Sequence, residues 1–431
     1  MMKNIMYKTI RHYFPKLNYQ IDKISDPRHN SYIKYDLRVL FWVAFLMFLT
    51  KLGSRRQINF KFTEKYFIKN LSLLSGRPLE SMPNDGTLAN LVKRLDEKSL
   101  FDFLYYLIKK LLRSKVLEKY RLNGYYLFML DGTGYLSFNS RHCSHCLEHR
   151  INGIKYYSHH VLDCKLITYN GLALSIGSEF IENLSENETK QDCELNAFYR
   201  YCKILKDNFP QLKICLVLDG LYANRNVIDL CQKNNWKYII TFKKGSVPTL
   251  FEEFERLKKL TPDSIDEYDN NKNIQKFHWI NNIDYEGRQV NVLECSELDK
   301  KTKQRKKYVW ITNFQIDKNN CRNLANKGGR LRWKIENEGF NMQKNGGYAL
   351  EHAYCEDITA IKNFYLLLQI SHIFNQLIEK GSLLELSELK KIGSIRNIAF
   401  FLLESLRNTI FTLDEINMIK INKFQIRLDS S

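Results

Sequence analysis

A change in hydrophobic period near Gly124 constrains this chain more than any other feature. Upstream, apolar residues recur at helical spacing. Downstream, they gather into short runs rich in β-branched and aromatic residues, and residues 125–130, 156–168 and 172–180 read as strands. The spacing turns helical over 188–208, then gives a strand at 213–218, a helix at 224–233 and a strand at 236–242. Three strands followed by helix–strand–helix–strand predict an α/β fold, a mixed sheet with helices packed on its faces.

The flanks differ from this centre. Residues 1–120 read as mostly helical, with 36–52 apolar nearly all round and therefore a core helix ended by Gly53-Ser54. Asp85 is placed to cap a helix starting at Thr87. Leu88, Leu91, Leu95, Leu100, Phe103, Leu104 and Leu107 carry its apolar face on to about residue 112. Lys93, Arg94, Lys109 and Lys110 lie between them, either as a DNA-contacting face or as a solvated one. Beyond residue 260, strands are expected at 277–283, 289–295 and 308–314, separated by polar turns such as Glu286-Gly287-Arg288. They form a small β-rich insertion before helical spacing returns over 323–378, interrupted at Gly346-Gly347. The last residues are helical in pattern, with apolar stripes at 383–389 and 398–406.

Composition narrows the class of partner. At 431 residues the chain suggests about three domains, and 44% hydrophobic residues exclude a disordered protein. Lys and Arg number 66 against 47 Asp and Glu, a formal charge of +19. Such an excess suits a polyanion, whose condensed counterions are released on binding; a genome-wide bias toward Lys, Asn and Ile would also raise the charge. No secretory signal is visible. The most apolar run, 39–49, falls short of the roughly 20 residues that span a bilayer, so no membrane partner is expected. The ten cysteines are scattered, which points to a reduced cytoplasmic setting rather than a disulfide framework.

Three carboxylates stand out by position. Asp131 follows the run 125–130, and Asp219 follows 213–218; a charged residue after a buried strand emerges at the sheet edge. Glu336 lies in a basic, amphipathic helical stretch. If the two strands are neighbours, the aspartates sit together. Hard oxygen ligands of this kind can hold two Mg²⁺ (or Mn²⁺) ions, which activate an attacking oxygen and stabilise a leaving one. Each residue has a plainer reading: Asp-Gly after a strand is ordinary turn chemistry, and Arg332 with Glu336 makes an i,i+4 helix pair. Glu182, Asp192, Glu194, Glu338 and Glu351 are competing carboxylates, Glu338 facing roughly away from Glu336 on a helix. Asp163 falls inside a strand pattern, as a core or edge residue.

A second cluster is softer in chemistry. Cys143 and Cys146 lie among His142, His145, His149, His159 and His160. The C-x-x-C spacing is half a structural Zn²⁺ site. His149, with His159 or Cys164, is the candidate for completing it; the alternative is a polar loop.

Asp131-Gly132-Thr133, Asp219-Gly220-Leu221-Tyr222-Ala223 and the segment RWKIENEGFNMQK beginning at Arg332 together resemble a DDE transposase of a bacterial insertion sequence. The resemblance covers about residues 125–380. It implies an RNase H-like catalytic core interrupted by a β-rich insertion, with Asp131, Asp219 and Glu336 as the catalytic, metal-binding triad. It divides the chain into a helical N-terminal domain at 1–120 that is a candidate for DNA binding, core segments at 121–260 and 319–380, the insertion at 261–318 and a helical tail at 381–431. In the family a Tyr-x-x-Arg-x-x-x-Glu-x6-Lys pattern surrounds the glutamate. Arg332 matches it, whereas the Tyr position holds Gly329 and the Lys position Gln343, with Lys344 one later. The resemblance further implies that Arg332 and Lys344 contact DNA phosphates and that Thr133 helps position the metal shell. Family members also set an aromatic from the insertion against a displaced base; Trp279 and Trp310 are available, but both lie in apolar strand patterns that favour core packing. The expected function is cleavage at transposon ends and strand transfer into double-stranded target DNA, by a nucleoid-associated homodimer. A stand-alone metal-dependent nuclease and a catalytically silent DNA-binding relative are the alternatives.

Overall fold

Strand pairing decides the architecture. In the computed structural model, which describes residues 1–183, 191–385, 393–421 and 425–428, ten strands form one mixed sheet. They are β1 (Tyr126–Phe138), β2 (Leu147–Ile151), β3 (Ile154–Ile167), β4 (Ala173–Ile181), β5 (Ile214–Leu218) and β6 (Lys237–Thr241), then β7 (Ile265–Asp269), β8 (Asn273–Tyr285), β9 (Arg288–Asp299) and β10 (Arg305–Thr312). β1 lies inside the sheet, antiparallel to β3 and parallel to β5, and β5 is parallel to β6. The outer edge of β3 is shared, with β2 along its first half and β4 along its second. Every residue of β5 is buried, as expected of a strand covered on both faces.

The expected α/β class and mixed sheet are borne out, with one revision. The β-rich segment does not form a small sheet of its own. β10 pairs antiparallel with β6, Trp310 opposite Thr241, and β9, β8 and β7 follow in order, so the central sheet simply continues. The buried end of β10, Val309–Thr312 in sequence, supplies the apolar edge that makes this continuation favourable.

Helices cover the sheet. The Glu194–Asn208 helix packs on β3 and β4, and the long Ile358–Glu379 helix packs on β4 and on Leu37–Leu49. Leu37–Leu49 is buried almost throughout, as its composition predicts. Phe374 meets Phe45 edge-on at 5.3 Å and Phe14 at 5.5 Å, so N- and C-terminal helices share one apolar core. The helix expected over 87–112 is two helices, Asp85–Val92 and Glu97–Arg113. Asn84, not Asp85, caps the first by accepting from the Thr87 N–H, and Asp96 caps the second through the Ser99 N–H. The helix expected from 188 begins at Glu194; residues 188–190, and 386–389 of the apolar stripe at 383–389, lie outside the described residues. Among the described residues no helix is long and apolar enough to cross a membrane.

Candidate active site

Parallel pairing sets Met129 of β1 opposite Val217 of β5. Asp131 and Asp219 each lie two positions further on, so the register carries both carboxylates to the same level of the sheet. They reach it differently. Asp219 does end its strand, and its Oδ1 accepts from the Leu221 N–H at 2.9 Å to cap a short 3₁₀ turn, Gly220–Tyr222. Asp131 does not: β1 runs on to Phe138, and Asp131 sits mid-strand opposite Asp163. The glycine after it is not turn chemistry but clearance. A Cβ on Gly132 would lie 2.3 Å from Glu194 Oε2, so a side chain there would push that carboxylate away from its place against β1.

Glu336 was expected on a helix, with an i,i+4 pair to Arg332 as its plainer reading. Instead the chain makes a 3₁₀ turn, Gly329–Arg332, followed by a π-helical turn, Ile335–Asn341, anchored by buried Ile335 and Phe340. π turns are rare and cluster at functional sites. Among the described residues Arg332 makes no ion pair with Glu336. Its Nη2 donates to Asp131 Oδ1 at 3.2 Å and to Asp219 Oδ2 at 3.1 Å, joining the two aspartates through one guanidinium. Glu338 pairs with Lys334 at 3.6 Å, as its opposed direction required.

Charge crowding follows from this geometry. Burial pushes the Asp131 carboxyl up to about 6; Arg332 opposes the rise, while Glu194, Asp219 and Glu336 add to it by repulsion. Glu194 was among the competing carboxylates and joins the site, accepting from the Tyr222 hydroxyl at 2.6 Å. Its rivals are neutralised elsewhere, Glu182 by Lys362 and Asp192 by Arg200, each at 2.7 Å. No spacing rule marks Glu194. The signal that would have found it is Gly132, a glycine in a strand where a neighbour must come close.

The remaining expected residues fall into place or out of it. Lys344 pairs with Glu351 at 2.8 Å and lines a cleft with Lys51, Lys61, Arg396, Arg407 and Glu404, where Arg407 pairs with Glu64 at 3.1 Å and with Glu404 at 3.2 Å. Gln343 is buried and donates to Gln369 Oε1 at 2.7 Å, which explains a neutral residue at that position. At Gly329 a Cβ would lie 2.3 Å from Trp310 Nε1, so no tyrosine fits. Trp310 and Trp279 are both buried in the core, not presented to a ligand. The Thr133 hydroxyl donates to the Gly134 carbonyl at 3.3 Å.

The soft cluster is rearranged as well. Cys143 and Cys146 meet His142 and His159, with one donor atom from each within 4.8 Å of the others. His149 is not among them. It is exposed on β2, its ring 5.1 Å from that of His160, because β2 pairing carries it away from the loop. Cys164 is buried within β3 and also lies outside the cluster.

No family model matches this chain, and no curated protein matches it. The functional reading therefore rests on the geometry.

Proposed function

We propose that the protein is a DDE-type DNA transposase, which cleaves phosphodiesters at transposon ends and transfers the freed strand to double-stranded target DNA. The observation that carries the reading is the shared guanidinium: Arg332 holds Asp131 and Asp219 together, and the charge of Glu336 reaches Asp131. Arg200 likewise bridges two carboxylates, Glu179 and Asp192, so what sets Arg332 apart is the number of carboxylates around it. Here one cation faces three crowded carboxylates and Glu194 as well, which leaves a net negative pocket suited to divalent cations. The strand order β4-β3-β1-β5-β6, three antiparallel strands joined to two parallel ones, supports an RNase H-like core with the aspartates on adjacent central strands.

Asp131, Asp219 and Glu336 would hold two Mg²⁺ (or Mn²⁺), and their all-oxygen donor set fits such hard ions. Cations there supply activation of the attacking oxygen and charge neutralisation at the leaving oxygen. The chain's own residues bind and orient. Arg332 holds the two aspartates converged and opposes the rise that burial imposes on Asp131, and its Nε is buried and without a partner among the described residues, a donor that a phosphate oxygen reaching it would satisfy. The cationic cleft around Lys344 offers the flanking backbone a track. A homodimer pairing two ends is part of the proposal.

The test uses the full chain and the DNA that flanks its own gene. Binding in Ca²⁺ followed by Mg²⁺ addition should give 3′-OH ends and then joined products, and Asp219→Ala should abolish both. Cleavage without joining would leave a nuclease. Binding with no cleavage by the unaltered chain would leave a silent relative and sink the proposal.

A further inference from the structure

We propose that His142, Cys143, Cys146 and His159 form a closed, structural Zn²⁺ site that pins the loop between β1 and β2 onto β3. The donor spacings carry the argument. Cys143 Sγ lies 3.8 Å from Cys146 Sγ, and His159 Nε2 lies 3.6 Å and 3.5 Å from the two sulfurs. A tetrahedral Zn²⁺ with bonds of about 2.3 Å to sulfur and about 2.05 Å to nitrogen requires edges of about 3.8 Å between sulfurs and about 3.6 Å from sulfur to nitrogen. The three edges among Cys143, Cys146 and His159 have those lengths, and the His142 donor lies within 4.8 Å of all three. A disulfide would bring the sulfurs to about 2.05 Å.

An independent observation concerns His142. Its Nδ1 is buried and has no hydrogen-bond partner among the described residues, a state that is destabilising unless something satisfies it. The ring is nonetheless held firmly, stacked on Phe138 at 4.5 Å and edge-on to His159 at 5.9 Å. The surrounding polar groups brace the ligand loop: Asn183 Nδ2 donates to the Cys146 carbonyl at 3.1 Å, and His145 Nδ1 bonds the Asn183 carbonyl at 3.0 Å.

Four protein donors leave no open position for water, so the site is structural, and its two thiolates select Zn²⁺ over the hard ions suited to the carboxylates. Its place in the sheet gives it a task. The register of β1 against β3 shifts between Gly134 and Leu136, and His159 pairs with Leu136 just past the shift. Asp131 lies five residues back along β1, about 17 Å at strand rise. Zn²⁺ would fix the far side of that irregularity and so the register that delivers Asp131. This inference stands whether or not the carboxylate site cuts DNA.

The experiment measures metal in the full chain by mass spectrometry and replaces it with Co²⁺. One Zn²⁺ per chain is expected, along with the ligand-field spectrum of a tetrahedral two-sulfur, two-nitrogen Co²⁺ site. His142→Ala and Cys143→Ser should lose both, and His149→Ala should keep both. Because ligand variants can unfold, alkylation of the unaltered chain gives a second readout. A chelator should speed modification of Cys143 by at least about tenfold, while exposed Cys193 reacts equally fast with and without it. Substoichiometric metal, chelator-independent alkylation of Cys143, or a Cys143–Cys146 disulfide in the purified chain would each overturn the proposal.

Discussion

Asp131 and Asp163 face each other across the β1–β3 ladder, yet their surroundings differ in kind. Asp163 is fully buried and fully answered: Lys165 donates to one carboxylate oxygen, while Ser175 and Ser178 donate to the other at 2.7 Å and 3.1 Å. Lys165 in turn donates to Gln369 Oε1 at 3.1 Å. Asp131 is half-buried, shares a single guanidinium nitrogen with Asp219, and is crowded by three other carboxylates. A charge compensated within the chain serves the fold. One left under-compensated serves something that arrives from outside.

The largest effect should come from breaking the compensated member. Asp163→Ala leaves Lys165 buried and uncompensated, and unfolding in urea should show a loss of about 3–5 kcal/mol. Asp131→Asn should move stability the other way. A carboxyl raised from 3.8 to about 6 is favoured in the folded state when protonated, so its contribution is full below about pH 4 and is lost as pH rises through 6. At pH 7.5 ionised Asp131 therefore costs about 3 kcal/mol. Part of that gain is offset by the lost bond to Arg332. The metal-free Asn variant should be about 1–2 kcal/mol more stable than the parent at pH 7.5, with the advantage gone at pH 4. Its Mg²⁺-dependent cleavage should fall by on the order of 10³-fold or more. A destabilised Asn variant would mean that Asp131 is as structural as Asp163.

Arg332→Ala probes the cation between the two aspartates. Losing it removes the one favourable charge acting on Asp131, so the carboxyl should climb further above 6. Protonated Asp131 cannot ligate a cation, and activity in the parent should therefore fall as pH drops through about 6. In Arg332→Ala that acid limb should move to higher pH, with the metal-free chain destabilised by about 1–2 kcal/mol. A limb that stays in place would show that Arg332 acts on DNA alone.

The same contrast explains what could be read in the sequence. Strand β5 was legible because burial on both faces writes itself as a continuous apolar run, and β3, β4 and β6 because their β-branched, aromatic and other apolar residues gather between polar breaks. Asp131 and Asp219 were legible because each follows such a run. The mid-strand setting of Asp131 was not, since Asp-Gly after apolar residues resembles a turn until Glu194 is seen occupying the space beside Gly132. Arg332 and Glu336 carry i,i+4 spacing, but the 3₁₀ and π turns that separate their directions are imposed by tertiary packing around Ile335 and Trp310. His142 was passed over for His149 because spacing along a loop does not reveal which way the loop folds back.

The smallest effect, Glu194→Gln, tests whether the fourth carboxylate acts as a ligand or as a charge. Gln keeps an acceptor for the Tyr222 hydroxyl, so the approach past Gly132 should survive. Among the groups that raise Asp131 by repulsion, Glu194 comes first. Neutralising it should lower the acid limb of the cleavage profile by less than about one pH unit, which is under about 1.4 kcal/mol. If its role is repulsion alone, the Mg²⁺ concentration giving half-maximal rate should change by less than about threefold. A much larger rise in that concentration would make Glu194 a metal ligand, and the contrast with Asp163 would then extend to a second residue whose charge the chain leaves unanswered.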